Sequence, residues 1–154
     1  MLSDDVFRIR LNETIEALRY WAPTVTDVAS VHESDGDGFW KVSAVPFAAR
    51  SCPFEFVLRT DQHHDLTIAR EVFEDQPTDS LDLFVPLATA ISEGRVVQRF
   101  WATVATGTLC AVETIVSLGD GSQWRGNRVV SRVAVPGSDG TTFVDRSFLP
   151  YHRR

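Results

Sequence analysis

From residue 25 to residue 148 the chain repeats one device, a short run in which apolar and polar residues alternate, closed each time by a cluster of Gly, Asp, Ser or Pro. A period of two places successive side chains on opposite faces of a strand, so each run offers one face to a core and one to solvent. Turn-forming clusters between such runs are hairpin signals. The architecture is therefore mainly antiparallel sheet, with helices added to it.

Two segments break the pattern. In 3–21, Phe7, Leu11, Ile15 and Leu18 recur at helical spacing and form one apolar stripe. Ser3 or Asp4 can cap this helix, Asp4 and Asp5 suit its positive end, and Pro23 disfavours helical geometry at Ala22, which sets the stop. In 79–93, Leu81, Phe84, Val85, Ala88 and Ile91 have helical spacing, but Pro86 stands inside the pattern, where a helix interior loses about 3 kcal/mol. Either the helix absorbs the proline, or 81–85 is extended and the helix starts at Pro86, where a missing N–H matters little. Both versions end near Gly94, a suitable left-handed cap.

The strand runs are 25–32, 39–45 after the turn cluster 33–38, then 54–59, and 66–72 after a polar turn at 61–65. Beyond Gly94 a meander of 95–105, 109–118, 123–135 and 142–148 is separated by 106–107, 119–122 and 136–140. Together these elements predict a single α+β domain over residues 1–154, in which an N-terminal amphipathic helix and a second central helix pack on one strongly bent, mainly antiparallel sheet of about eight strands. The order also fits a loose duplication of an αββββ unit, although the halves share little similarity and simple meanders give the same order.

At 154 residues such a domain buries around two thirds of its unfolded surface and needs no disulfides. A net charge of -6 and a pI near 5.1 oppose a general phosphate-backbone binder, so no nucleic-acid partner is expected. No apolar run approaches the roughly 18 residues that cross a bilayer, and the opening residues 1–5 are acidic where a secretory signal is basic. A cytoplasmic protein without a membrane partner is the expectation. Cys52 and Cys110 lack C-x-x-C spacing and read as small apolar residues, while the basic ending 151–154 reads as an exposed tail.

No G-x-S-x-G elbow, glycine-rich phosphate loop or H-E-x-x-H helix is present, so no cofactor is expected. Asp61, His63, His64 and Asp65 crowd imidazoles and carboxylates into five residues and could in principle hold a divalent metal. Adjacent side chains on an extended backbone point to opposite faces, however, and Asp is common in turns for conformational reasons, so a solvated turn is the reading adopted. Asp35-Gly36-Asp37-Gly38 lacks the later ligands of a calcium loop and is a turn.

A second constellation depends on register. If the last hairpins pair Ala105 with Thr108 and Leu118 with Gln123, then Phe100 faces Glu113 and Glu113 faces Arg128, with Gln98 and Trp124 on the same face. The opposite face, with Trp101, Thr103, Cys110, Val112 and Val129, would then pack on the helices, although Arg99, Thr114 and Asn127 share it. Gln98, Phe100, Glu113, Trp124 and Arg128 supply the apolar walls and convergent polar groups of a pocket for a small polar ligand. A solvent-facing sheet surface with a cross-strand ion pair is the competing reading, and a bulge at 119–122 would dissolve the row. Of the four tryptophans, Trp124 is the one placed to meet a partner, beside a turn and followed by Arg125.

The expected function is a non-enzymatic binding module that recognises a small molecule or a protein through this sheet face. A small hydrolase or isomerase using Glu113 or His63 as base is the alternative from another class. Open sheet edges also allow a structural role as a homodimer.

Overall fold

The structure, a computed structural model, describes residues 2–152. Helix α1 (Asp4–Trp21) begins as its sequence dictates: the Ser3 hydroxyl accepts the Val6 N–H, Asp4 and Asp5 occupy the first turn, and Phe7, Leu11, Thr14, Leu18 and Trp21 form its buried face. A 3-10 turn, Ala22–Thr24, follows and carries Pro23. The expected strand over 25–32 is shortened, because the Val25 N–H bonds the Ala22 carbonyl and the Val28 N–H the Val25 carbonyl, and only Ala29 onward finds a strand partner.

Five strands then form one meander: β1 (Ala29–Gly36), β2 (Phe39–Pro46), β3 (Phe54–Arg59), β4 (His63–Ile68) and β5 (Glu71–Pro77), hydrogen-bonded in that order. The turn after β1 is tighter than 33–38, with Gly36 already paired to Phe39. The turn expected at 61–65 ends earlier, so His63, His64 and Asp65 belong to β4. Between β4 and β5 the chain reverses at Ala69 and Arg70, with Ala69 at φ 57°, and the single run 66–72 is in fact parts of two strands.

A 3-10 turn (Leu81–Leu83) leads into α2 (Phe84–Ser92). Pro86 lies in the first helical turn, where N–H groups have no intrahelical acceptor, so the helix starts ahead of the proline and 81–85 is not extended. Gly94 ends it at φ 79°, with its own N–H on the Ile91 carbonyl and the Arg95 N–H on the Ala90 carbonyl, both at 3.0 Å.

Beyond it lie β6 (Val96–Thr103), β7 (Leu109–Ser117), β8 (Gln123–Val129) and β9 (Thr141–Ser147), ordered β8-β7-β6-β9. The last strand returns beside the first, which is a Greek key and not the expected meander. The protein is therefore α+β with helices packed on antiparallel sheets, but among the described residues two helices accompany nine strands that make two sheets and not one bent sheet of about eight. The ladder stops at β5 because Asp75 takes φ 54° beside an irregular register and Pro77 has no N–H to give. The halves differ in strand order, five in a meander against four in a Greek key, which leaves no common repeat.

One apolar cluster joins the layers. Its aromatic rings run from α1 through the first sheet and α2 back to β4: Trp21 to Phe54 at 5.7 Å, Phe54 to Phe56 at 4.6 Å, Phe56 to Phe84 at 5.7 Å, and Phe84 to His64 at 5.1 Å. Val96, Val116 and Phe148 bring the second sheet into it. The expected exposed tail is not one at Tyr151, which is buried, gives its N–H to the Ser92 carbonyl at 2.8 Å and its hydroxyl to the Cys52 carbonyl. Residues 153 and 154 lie outside the described residues. Cys52 and Cys110 are both buried, and burial pushes the Cys52 thiol up to about 12. Among the described residues no helix is long and apolar enough to cross a membrane.

Thr114 on β7 is fully buried, and its hydroxyl finds no hydrogen-bond partner among the described residues. An unpaired buried hydroxyl costs about 1 kcal/mol or more, so Thr114→Val, which keeps the shape, is expected to raise the free energy of unfolding by about 1 kcal/mol. A denaturant titration checks this, and a loss of stability would show that the hydroxyl is satisfied in solution.

Candidate functional site

Register decides which side chains of the second sheet share a face, and a slip of one residue moves a strand's whole set to the other face. The Leu118 N–H bonds the Ser122 carbonyl at 2.8 Å, so Ser117 stands opposite Gln123, and a bulge between Trp101 and Ala102 shifts the preceding hairpin. Glu113 therefore faces Arg99 and Asn127, while Phe100 and Arg128 both face Val112. Gln98, Phe100, Trp124 and Arg128 remain on one face, which is the side toward the core; Glu113 is on the other. Cys110, Val112 and Thr114 are on the core side, as expected for helix-packed residues, but Trp101 and Val129 share the outer face with Glu113.

The carboxylate of Glu113 lies 3.1 Å from Arg125. Gln98 is buried, 4% exposed. Arg128 reaches across to the first sheet and holds Glu71 of β5 with two hydrogen bonds, 2.8 and 3.2 Å. The guanidinium is half-exposed but the Glu71 side chain is nearly enclosed, so this pair fastens the edge of one sheet to the edge of the other. Beside it Phe73 and Trp124 meet edge to face at 5.1 Å. Gly126 makes that contact fit: a Cβ there would stand 2.5 Å from the Phe73 ring and 2.6 Å from the Trp124 ring.

These two aromatic rings form part of a cleft of about 570 Å³ between β5 and β8, with His64, Gln76, Asp79 and Asn127 also on its walls. Val130 and Leu118 both bond across to their ladder partners, which fixes the even-numbered residues of β8 as those paired with β7. Arg125 and Asn127, which line the cleft, therefore direct their backbone N–H and C=O groups away from the sheet. Such an edge is an array of unpaired donors and acceptors beside two aromatic faces.

His64 is the titratable group of the cleft. It is 6% exposed, its Nδ1 lies 2.8 Å from the Thr78 hydroxyl, and its ring stands edge-on to Phe84. Burial lowers its pKa below the ordinary imidazole value, because the charged ring would lose hydration; Asp65 and Asp79 oppose that shift. No hydrogen bond occupies Nε2 among the described residues.

His63, the next residue, is on the far face of β4 with its Nδ1 3.1 Å from the Asp61 carbonyl. On that face Arg59 gathers the carboxylates: it bonds Asp61, lies 3.0 Å from Asp75 and 3.6 Å from Asp65. The hydrogen bond from Arg59 holds the Asp61 carboxyl below its ordinary value. A guanidinium thus sits where a cation bound by these carboxylates would have to sit, and His64 is turned away from it. Among the described residues no three His, Cys, Asp or Glu side chains are grouped to hold a metal ion.

The structure thus brings together Trp124 and His64, which belonged to separate constellations in the sequence, and separates Glu113 from both. Glu71, Phe73, Gln76 and Thr78 are additions. Their signal is parity: with a reversal at Ala69 and Arg70, Glu71 and Phe73 fall on the same face as Ile68 and Leu66.

A histidine with a lowered pKa binds its proton in the unfolded chain first, near pH 6.5, so its contribution to stability is present above that pH and is lost as pH falls through it. Wild type is expected to lose more in Tm between about pH 7 and about pH 5 than His64→Gln, which has no proton to take up. Equal losses in the two proteins would mean that His64 is hydrated in solution. Comparison with protein-family models, with curated proteins and with solved structures finds no match for this chain.

Proposed function

We propose that the protein is a cytoplasmic binding module whose ligand is a small polar molecule with an apolar face, received in the cleft between β5 and β8. One observation carries this reading: a buried imidazole, an aromatic pair and the unpaired edge of a strand converge on the same open volume of about 570 Å³. Ligand sites combine apolar walls with a few placed polar groups, and this cleft does so with Phe73 and Trp124 against His64, Gln76 and the backbone of Arg125 and Asn127. Its place differs from the sheet face suggested by the sequence, but Trp124 is common to both. The net charge of -6 supports a ligand other than nucleic acid.

A second reading rests on His64 alone. A neutral imidazole whose Nδ1 is held by Thr78 presents Nε2 for proton transfer, so the same cleft suits acid–base chemistry on the bound molecule. Glu113 and His63 lie outside the cleft and would play no part in it.

A thermal-shift screen of small polar compounds tests both. Compounds that raise Tm are expected to lose that effect in Trp124→Ala and in Gly126→Ala, where the new methyl displaces both rings, and to keep it in Glu113→Gln on the other face. Stabilisers unaffected by the first two substitutions would place the site elsewhere. If a stabilising compound is also converted, His64→Gln should bind it and leave it unchanged.

A further inference from the structure

Among the described residues four strands are sheet edges: β1 and β5 in the first sheet, β8 and β9 in the second. Open edges invite pairing unless charge, proline or a bulge protects them. The exposed half of β1 carries Glu33 and Asp35, and β5 carries Glu74, Asp75, an irregular register and Pro77. The outer edge of β8 borders the cleft. β9 has no proline and no bulge, and its two charged residues, Asp145 and Arg146, are of opposite sign, with Asp145 already held by Arg99. Its sequence, Thr141–Ser147, is rich in β-branched and aromatic residues, and Val144 is 70% and Phe143 44% exposed, on opposite faces of the strand.

The bond from the Val104 N–H to the Gly140 carbonyl, 2.8 Å, fixes the even-numbered residues of β9 as those bonded to β6. Phe143, Asp145 and Ser147 therefore direct both backbone groups outward, as does the Thr141 carbonyl, whose N–H is turned back to Ser138. We propose that the protein forms a homodimer in which β9 pairs antiparallel with β9 of a second copy, about a two-fold axis at Val144, fusing two four-stranded sheets into one.

The occupant and the register follow from self-complementarity. Centring the axis on Val144 pairs all seven residues: Phe143 with Asp145, Thr141 with Ser147, Thr142 with Arg146, and Val144 with itself. Centring it on Asp145 would oppose two carboxylates directly, and centring it on Phe143 would leave part of the strand unpaired. With the axis at Val144, no like charges face each other across the seam. The register also completes an electrostatic arrangement already half built. Arg99 holds Asp145 of its own chain at 2.9 Å and lies 4.0 Å over the Phe143 ring. The carboxylate arriving opposite Phe143 is the second copy's Asp145, so each Arg99 comes to lie between two carboxylates with its face on an aromatic ring. At the axis the two exposed valines close on one another as a pair that is not hydrogen-bonded, where side chains approach most closely.

Sedimentation equilibrium on the full chain tests the interface. Wild type is expected to have the mass of a dimer. Val144→Lys and Val144→Glu are each expected to be monomeric and still folded, because the side chain is exposed and each would oppose its own charge across the axis. An equimolar mixture of the two should recover the dimer mass, now as a species containing one of each. Ser147→Pro, which removes an outward N–H and no hydrogen bond among the described residues, should also lose the dimer. A monomeric wild type, a dimer that survives Val144→Lys or Ser147→Pro, or a mixture that remains monomeric would each overturn the proposal.

Discussion

The segment Phe84–Ser92 reads Phe-Val-Pro-Leu-Ala-Thr-Ala-Ile-Ser, and as a helix it has no polar face to turn outward. A helix this apolar buries most of its circumference, and only the exposed Pro86 with the half-buried Val85 and Thr89 is left toward solvent. Phe84, Leu87, Ala88, Ala90 and Ile91 are accordingly buried, between α1 on one side and β7 on the other. Both sheets pack on it, the first through Phe56 against Phe84 and the second through β7. A single bent sheet covers one side of such a helix; two sheets and α1 cover it from several. The aromatic rings from Trp21 to His64 then fill the space on the first sheet's side, with Phe56 and Phe84 fully buried at the centre. Each such ring contributes about 2 kcal/mol of transfer free energy, far more than any surface ion pair in the molecule.

Enclosing α2 does not require the sheets to meet along their whole length, and at β5 and β8 they do so at two contacts. Glu71 and Arg128 are charged, and because Glu71 is nearly enclosed the loss of Arg128 would strand a carboxylate in low dielectric. Phe73 and Trp124 are apolar and depend on the absence of a side chain at Gly126. One contact fixes the distance between the edges and the other gives the gap an aromatic wall. His64 reaches the same gap from the far end of the ring series that packs around α2, so the cleft is a by-product of how the core is closed. That link ties the pKa of His64 to core packing more than to the charges around it.

What the sequence made legible follows physical range. Helix α1, its serine cap and acidic first turn, the glycine that ends α2, and the four strands after it are set by residues within a few positions of one another. The register of β6, β7 and β8 is not, since a bulge at Trp101 and one residue of turn at 118–122 reverse the faces and carry Glu113 away from Phe100. The reversal at Ala69 has no glycine or asparagine to announce it, and missing it concealed Glu71 and Phe73. His64 and Trp124 were each visible as unusual residues. Their meeting was not, because 60 positions separate them and only the enclosure of α2 brings their strands together.

Charge is distributed between the sheets in a way that follows from these roles. On the outer face of the first sheet Asp61, Asp65 and Asp75 surround Arg59, while Glu33 is taken by Arg19 of α1. Asp35 on one edge of that sheet and Glu74 on the other have no ion-pair partner among the described residues, so two copies approaching there repel. The second sheet alternates sign instead: Arg125 on Glu113, then Arg99 on Asp145, across adjacent strands. Alternation of this kind cancels at a distance and leaves local pairs, which an opposed surface of the same pattern can match. An acidic chain can remain dispersed through its first sheet and still associate through its second, because repulsion acts over a Debye length of about 8 Å and strand pairing over a single hydrogen bond.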